Sequence, residues 1–186
     1  MYDAAPLCHP LAMSVLTRLL LACTILVVIA MFVFSATVYP DLPARIPTHF
    51  NAAGVADGFG PRSNWWILPG INVASSVLLI GVVMLIPRRP DLLNLPSKPA
   101  ILASPPSGQR AVVRQAQPGM MMLGLVVAVV LAFLQYASWE VAMGRRAGGL
   151  GSLVLVVPLV SLALLPALLI PVQRELRRPQ AALGRG

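Results

Sequence analysis

The chain has 186 residues, of which 58% are hydrophobic and 11% charged, and its formal net charge is +8. So apolar a composition excludes a water-soluble domain, whose hydrophobic share is nearer half, and marks an integral membrane protein. The positive charge does not call for nucleic acid as a partner, because basic membrane proteins use it to hold topology and to touch anionic lipid, at about 1 kcal/mol per group near the surface.

Residues 1–18 read as a cytoplasmic N-terminus in which Met13 is an alternative start to Met1. Four charge-free stretches follow: Leu19–Val38, Trp65–Pro87, Pro118–Trp139 and Ala147–Val172. Each is long enough to cross roughly 30 Å of hydrocarbon at about 1.5 Å per residue. Backbone groups find no water in lipid, so each stretch should be helical. The expected fold class is all-α, a four-helix transmembrane bundle with a short extracytoplasmic cap loop between helices 1 and 2. The first stretch is not a cleaved signal, since its apolar core exceeds the usual 7–15 or so residues and "VFSATVYP" has no small-x-small cleavage site.

In chain order, residues 19–87 form a two-helix unit around the loop 39–64, and 118–172 form a second hairpin. Between them lies a Pro-rich basic linker, 88–117, whose prolines favour extended backbone. It brushes lipid or docks a cytoplasmic protein partner. A basic tail, 173–186, ends the chain.

Orientation follows from Lys and Arg, which accumulate on the cytoplasmic side. Arg18, Arg88, Arg89, Lys98, Arg110, Arg114, Arg174, Arg177, Arg178 and Arg185 lie on one side, ten in all, against Arg45, Arg62, Arg145 and Arg146 on the other. Both termini are therefore expected in the cytoplasm of a cell whose inner membrane holds the protein. Tyr39, Trp65, Trp66, Tyr136 and Trp139 fall at the outer helix ends, where amphipathic rings prefer the headgroup layer.

The spans have no ionisable side chain in their cores, which disfavours a small transporter subunit. Asn72 is the notable intramembrane polar residue, either an interhelical hydrogen bond or part of a ligand pocket. Gln135 and Glu140 read as interfacial. Cys8 and Cys23 lie on the inner side and within the first span, so no disulfide joins them.

The loop "YPDLPARIPTHFNAAGVADGFGPRSN" concentrates the chain's chemistry. Pro40, Pro43 and Pro47 stiffen its first half. Asn51 and Asp57 bond nearby backbone in turns, and Gly54, Gly58 and Gly60 permit positive φ. The product is a compact cap on the helix ends, with Phe50 and Phe59 as anchors. His49 has too few His, Cys or acidic neighbours outside the membrane for a metal site, Asp41, Asp57 and Glu140 being the other donors. As a catalytic base it would use Asp57 with Thr48 or Ser63. Against these stand two simpler roles: hydrogen bonding within the loop, and contact with a ligand or peptide. No catalytic residue, cofactor or metal is assigned.

The run matches LPxxIPxHFNxxGxxDGF through Leu42, Pro43, Ile46, Pro47, His49, Phe50, Asn51, Gly54, Asp57, Gly58 and Phe59. In this it resembles the N-terminal domain of unknown function of SdpI-type bacterial integral membrane proteins. It departs from them at Ala56, where the family has Pro, and at Arg62, where it has Lys. The resemblance covers residues 14–85 and implies a loop outside the cytoplasmic membrane. It also implies, by analogy with the type member, immunity to a secreted toxin and retention of a transcriptional repressor at the membrane. The second half of that protein is not recognisable in this chain. The reading is a non-catalytic protein whose loop, through Pro43, Pro47, His49, Phe50, Asn51, Gly54, Asp57, Gly58 and Arg62, recognises an extracytoplasmic peptide, toxin or envelope component. The alternative is a membrane enzyme or metal-dependent protein using His49 and Asp57. Oligomeric state is not legible.

Overall fold

The structure, a computed structural model, describes residues 13–51, 53–89, 99 and 106–145. Helix α1 runs Val15–Val38, capped at its start by the Ser14 hydroxyl, which accepts from the Thr17 N–H at 3.1 Å. A 3-10 turn at Tyr39–Asp41 leads into strand β1, Arg45–Phe50, which pairs antiparallel with β2, Ala56–Pro61. A second 3-10 turn, Arg62–Trp66, opens helix α2, Ile67–Leu85. Pro69 sits in the first turn of α2, where the missing N–H would have had no helical acceptor.

Helix α3 spans Pro106–Ala142 and lies against both α1 and α2. It begins well before the expected Pro118, so the extended-linker reading is corrected for 106–117. Pro106 suits a first helical position, and the Pro-free run after it is rich in Gln, Arg and Ala. Pro118 stands inside the helix at the cost of one backbone donor. At its other end α3 closes with Gly144 at φ 67°, the Arg145 N–H bonding the Glu140 carbonyl and the Gly144 N–H that of Val141.

The all-α expectation is also corrected, because residues 45–50 and 56–61 form a two-stranded sheet. A β-branched or aromatic residue occupies every second or third place in β1, and prolines hold the approach extended. The expected fourth span, Ala147–Val172, and the tail lie outside the described residues, as do residues 1–12 and 90–98 of the N-terminus and linker.

Burial in the bundle inverts the pattern of a soluble protein. Thr17, Thr24, Ser35, Asn72, Ser76, Gln117 and Gln135 are buried, while Leu16, Leu19, Leu26, Val33, Val77 and Leu78 are exposed. Among the described residues, three helices are long and apolar enough to cross a membrane, which implies a lipid bilayer around these exposed faces. Apolar contacts fill the space between polar layers: Leu20, Val83 and Met121 at one level, Leu42, Ile46 and Trp65 where the hairpin meets the helix ends.

Candidate functional site

The turn of the hairpin is built by Asn51. Its side-chain oxygen accepts the N–H groups of Ala53 and Val55, both at 3.0 Å, while its own N–H bonds the Val55 carbonyl at 2.9 Å. Gly54 closes the turn at φ 73°, a conformation an L side chain resists. Register slips on either side of His49, which stands opposite Gly58. A Cβ on Gly58 would lie 2.9 Å from the His49 Cβ, so glycine there lets the strands close up.

That irregularity places His49 against Asp57. The ring Nδ1 and the carboxylate Oδ1 are 2.5 Å apart, with the two side chains 72% and 45% exposed. An ionised carboxylate only accepts, so Nδ1 carries the shared hydrogen, and Nε2 of a neutral ring is left as an acceptor at the solvent face. Phe59 and Val55 are exposed on the same hairpin. Among the described residues no group of three or more His, Cys, Asp and Glu side chains lies close enough to hold a metal ion.

The hairpin is seated by other residues than the expected phenylalanines. Phe59 is 52% exposed; Leu42 and Ile46 are buried instead, against Trp65, Phe34 and Trp139. Pro47 is buried beside them in β1, and Pro43 is exposed on the approach. Phe50 is half-buried at the end of β1. Arg62 is exposed; its N–H bonds the Ala44 carbonyl at 3.0 Å and its guanidinium carbon stands 5.1 Å above the centre of the Tyr39 ring.

Below the seat the three helices are joined by hydrogen bonds. Trp65 Nε1 donates to the Ser35 carbonyl at 3.0 Å. Gln135, expected at the interface, is instead buried, its Nε2 donating to Ser35 Oγ at 3.1 Å and to the Trp65 carbonyl at 3.2 Å. One amide thus holds α1, the start of α2 and α3 together. Deeper in, Asn72 repeats the arrangement: its Nδ2 donates to the Ala128 carbonyl at 3.2 Å and lies 2.8 Å from Met31 Sδ, and Ser76 Oγ approaches its oxygen at 3.5 Å. Asn72 therefore makes interhelical bonds. Near the other end, Gln117 Nε2 donates to the Val83 carbonyl at 3.2 Å. Sequence reasoning missed Ser35, Gln117 and the role of Gln135.

A family described as a domain of unknown function (DUF1648) matches residues 26–73, a span that holds the whole hairpin with Met31, Ser35, Trp65 and Asn72. The chain is also similar to an uncharacterized protein of Archaeoglobus fulgidus, 33% identical over 84 residues, which are 43% of this chain and 46% of that protein. The chain thus matches less than half the length of this curated relative. No solved structure matches.

Proposed function

We propose that the protein is a multi-pass inner-membrane protein of four spans with both termini in the cytoplasm. In this reading the hairpin caps its extracytoplasmic end and recognises a peptide or envelope component, in sensing or toxin immunity, without catalysis. The ten-to-four distribution of basic residues supports the orientation. The exposed His49–Asp57 pair carries the reading: a fixed hydrogen-bonding group beside exposed Phe59, on a hairpin clamped to the helix ends, suits recognition more than a folding role. An exposed pair of this kind contributes about 1 kcal/mol or less to stability. A second reading, metal-dependent or hydrolytic chemistry at His49 and Asp57, is favoured by the same pair, since a carboxylate at Nδ1 is the usual support for a metal-binding imidazole.

One experiment separates them. Cells expressing the full chain or its His49→Ala variant are challenged with a panel of secreted peptide toxins, and the purified proteins are assayed for melting temperature and metal. We expect protection against at least one toxin that the variant loses, with equal membrane abundance and melting points within about 3 °C. Protection equal in both proteins, or against no toxin, overturns the immunity reading. Stoichiometric metal that vanishes in the variant selects the second reading instead.

A further inference from the structure

Aromatic rings at the hairpin end of the bundle form two chains, each ending on an arginine. In one, Trp65, Phe34, Tyr136 and Trp139 stack together and Arg145 lies 4.2 Å above the Trp139 ring, with Glu140 as its counter-charge at 3.8 Å. In the other, the Phe32 and Trp66 rings are 5.4 Å apart, the Trp66 and Tyr39 rings 5.5 Å, and Arg62 covers Tyr39. Here no carboxylate stands within ion-pair distance of the guanidinium among the described residues.

The second column has the shape of a lipid. Phe32 is 50% exposed on the outer face of α1, and seven residues further along the helix, about 10 Å, stands Tyr39. Arg62 begins one apolar span and Tyr39 stands near the end of another, so both sit where hydrocarbon gives way to headgroups. The contact with Tyr39 holds the guanidinium over the ring while its N–H groups, a fork suited to two phosphate oxygens, have no anionic partner among the described residues.

We propose that Arg62, Tyr39, Trp66 and Phe32 form a binding site for one anionic diacyl phospholipid, its phosphate on Arg62 and an acyl chain along Trp66 and Phe32. The site rests on the bilayer setting of the helices and takes Arg62 for lipid rather than for the hairpin's ligand; it does not involve His49 or Asp57, the pair that carries the recognition reading.

The test exploits Trp66, which is half-buried in the column. The full chain is reconstituted into phosphatidylcholine vesicles carrying a small, equal fraction of brominated phosphatidylglycerol or brominated phosphatidylcholine, and quenching of tryptophan fluorescence is compared. The wild type should be quenched as if phosphatidylglycerol were enriched about fivefold at its surface. Arg62→Gln should bring that ratio to one, Arg62→Lys, which keeps the charge but loses the fork, should keep only part of it, and Arg145→Gln should leave it unchanged. Equal quenching by both lipids in the wild type overturns the proposal, as does a preference that survives Arg62→Gln. Should Arg62→Gln misfold, the ratio in the wild type and in Arg62→Lys decides. Millimolar glycerol phosphate is added in a parallel arm: loss of the preference there means the site takes a soluble phosphate, and the lipid assignment falls.

Discussion

Gly58 shows how little room the candidate site has. A methyl group at this position would meet the His49 Cβ, an atom fixed to the backbone, so β1 itself would have to move. Gly58→Ala should therefore destabilise the protein by about 1–3 kcal/mol, the usual cost of overpacking, far more than loss of the exposed imidazole. Thermal melts of the two variants in the same detergent compare the costs directly; a Gly58→Ala melting point no lower than that of His49→Ala would mean the strands are not pressed together there. That His49 and Asp57 were worth watching was legible, because polar and turn-forming residues in an otherwise apolar chain stand out. Their partnership was read from the sequence only within the catalytic and metal-dependent alternative; the direct contact itself depends on a register slip that no residue type announces.

At the level of elements, the hairpin and the third helix diverged most from expectation. The loop's prolines and glycines read as turns and stiff coil, yet six residues on each side pair into strands. Glycine and proline depress strand propensity, and it is the burial of Leu42 and Ile46 under the aromatic cluster that overrides it. The phenylalanines were expected to anchor because they are large, but alternation along β2 turns Phe59 away from the seat. The turn depends on one side chain, so Asn51→Ala, which leaves the Ala53 and Val55 N–H groups to water, should cost about 1 kcal/mol. Amide exchange at Val55 should rise at least several-fold with it. Exchange unchanged at that position would show that Gly54 alone sets the turn. The polar layers, by contrast, left a trace in the sequence: Thr17 and Ser35 are five helical turns apart at about 3.6 residues per turn, as are Gln117 and Gln135, so each pair shares one helix face. Hydropathy alone hides this, because a few amides scarcely lower the average of a long apolar run.

On the scale of the molecule, the buried amides replace the hydrophobic drive that lipid cannot supply between helices. Gln135 makes two such bonds, and Gln135→Leu leaves Ser35 Oγ and the Trp65 carbonyl without that donor. Interhelical hydrogen bonds in membranes are worth about 0.6 kcal/mol each on average, up to about 1.7, so the variant should lose about 1–3 kcal/mol and separate α3 from the hairpin end first. Protease accessibility at residues 143–145 would report that separation; uniform accessibility along the chain would place the weak point elsewhere. Membrane class and three of the spans were legible from length and apolarity alone, because the bilayer imposes them. How the spans meet was not, since it rests on single amides.

The same amide bears on how the protein is made. Ser35 and Gln135 are a hundred residues apart in the chain, and α3 leaves the ribosome long after α1, the hairpin and α2. Until it does, the Ser35 hydroxyl and the Trp65 carbonyl await their donor, and the face that will receive Ala128 at Asn72 stands open. The segment bearing the recognisable motif is therefore an unfinished product during biogenesis. Arrival of the third helix completes it, and a chain stalled or cleaved before that point would present unpaired polar groups to the lipid, where nothing in the hydrocarbon can replace the missing donor.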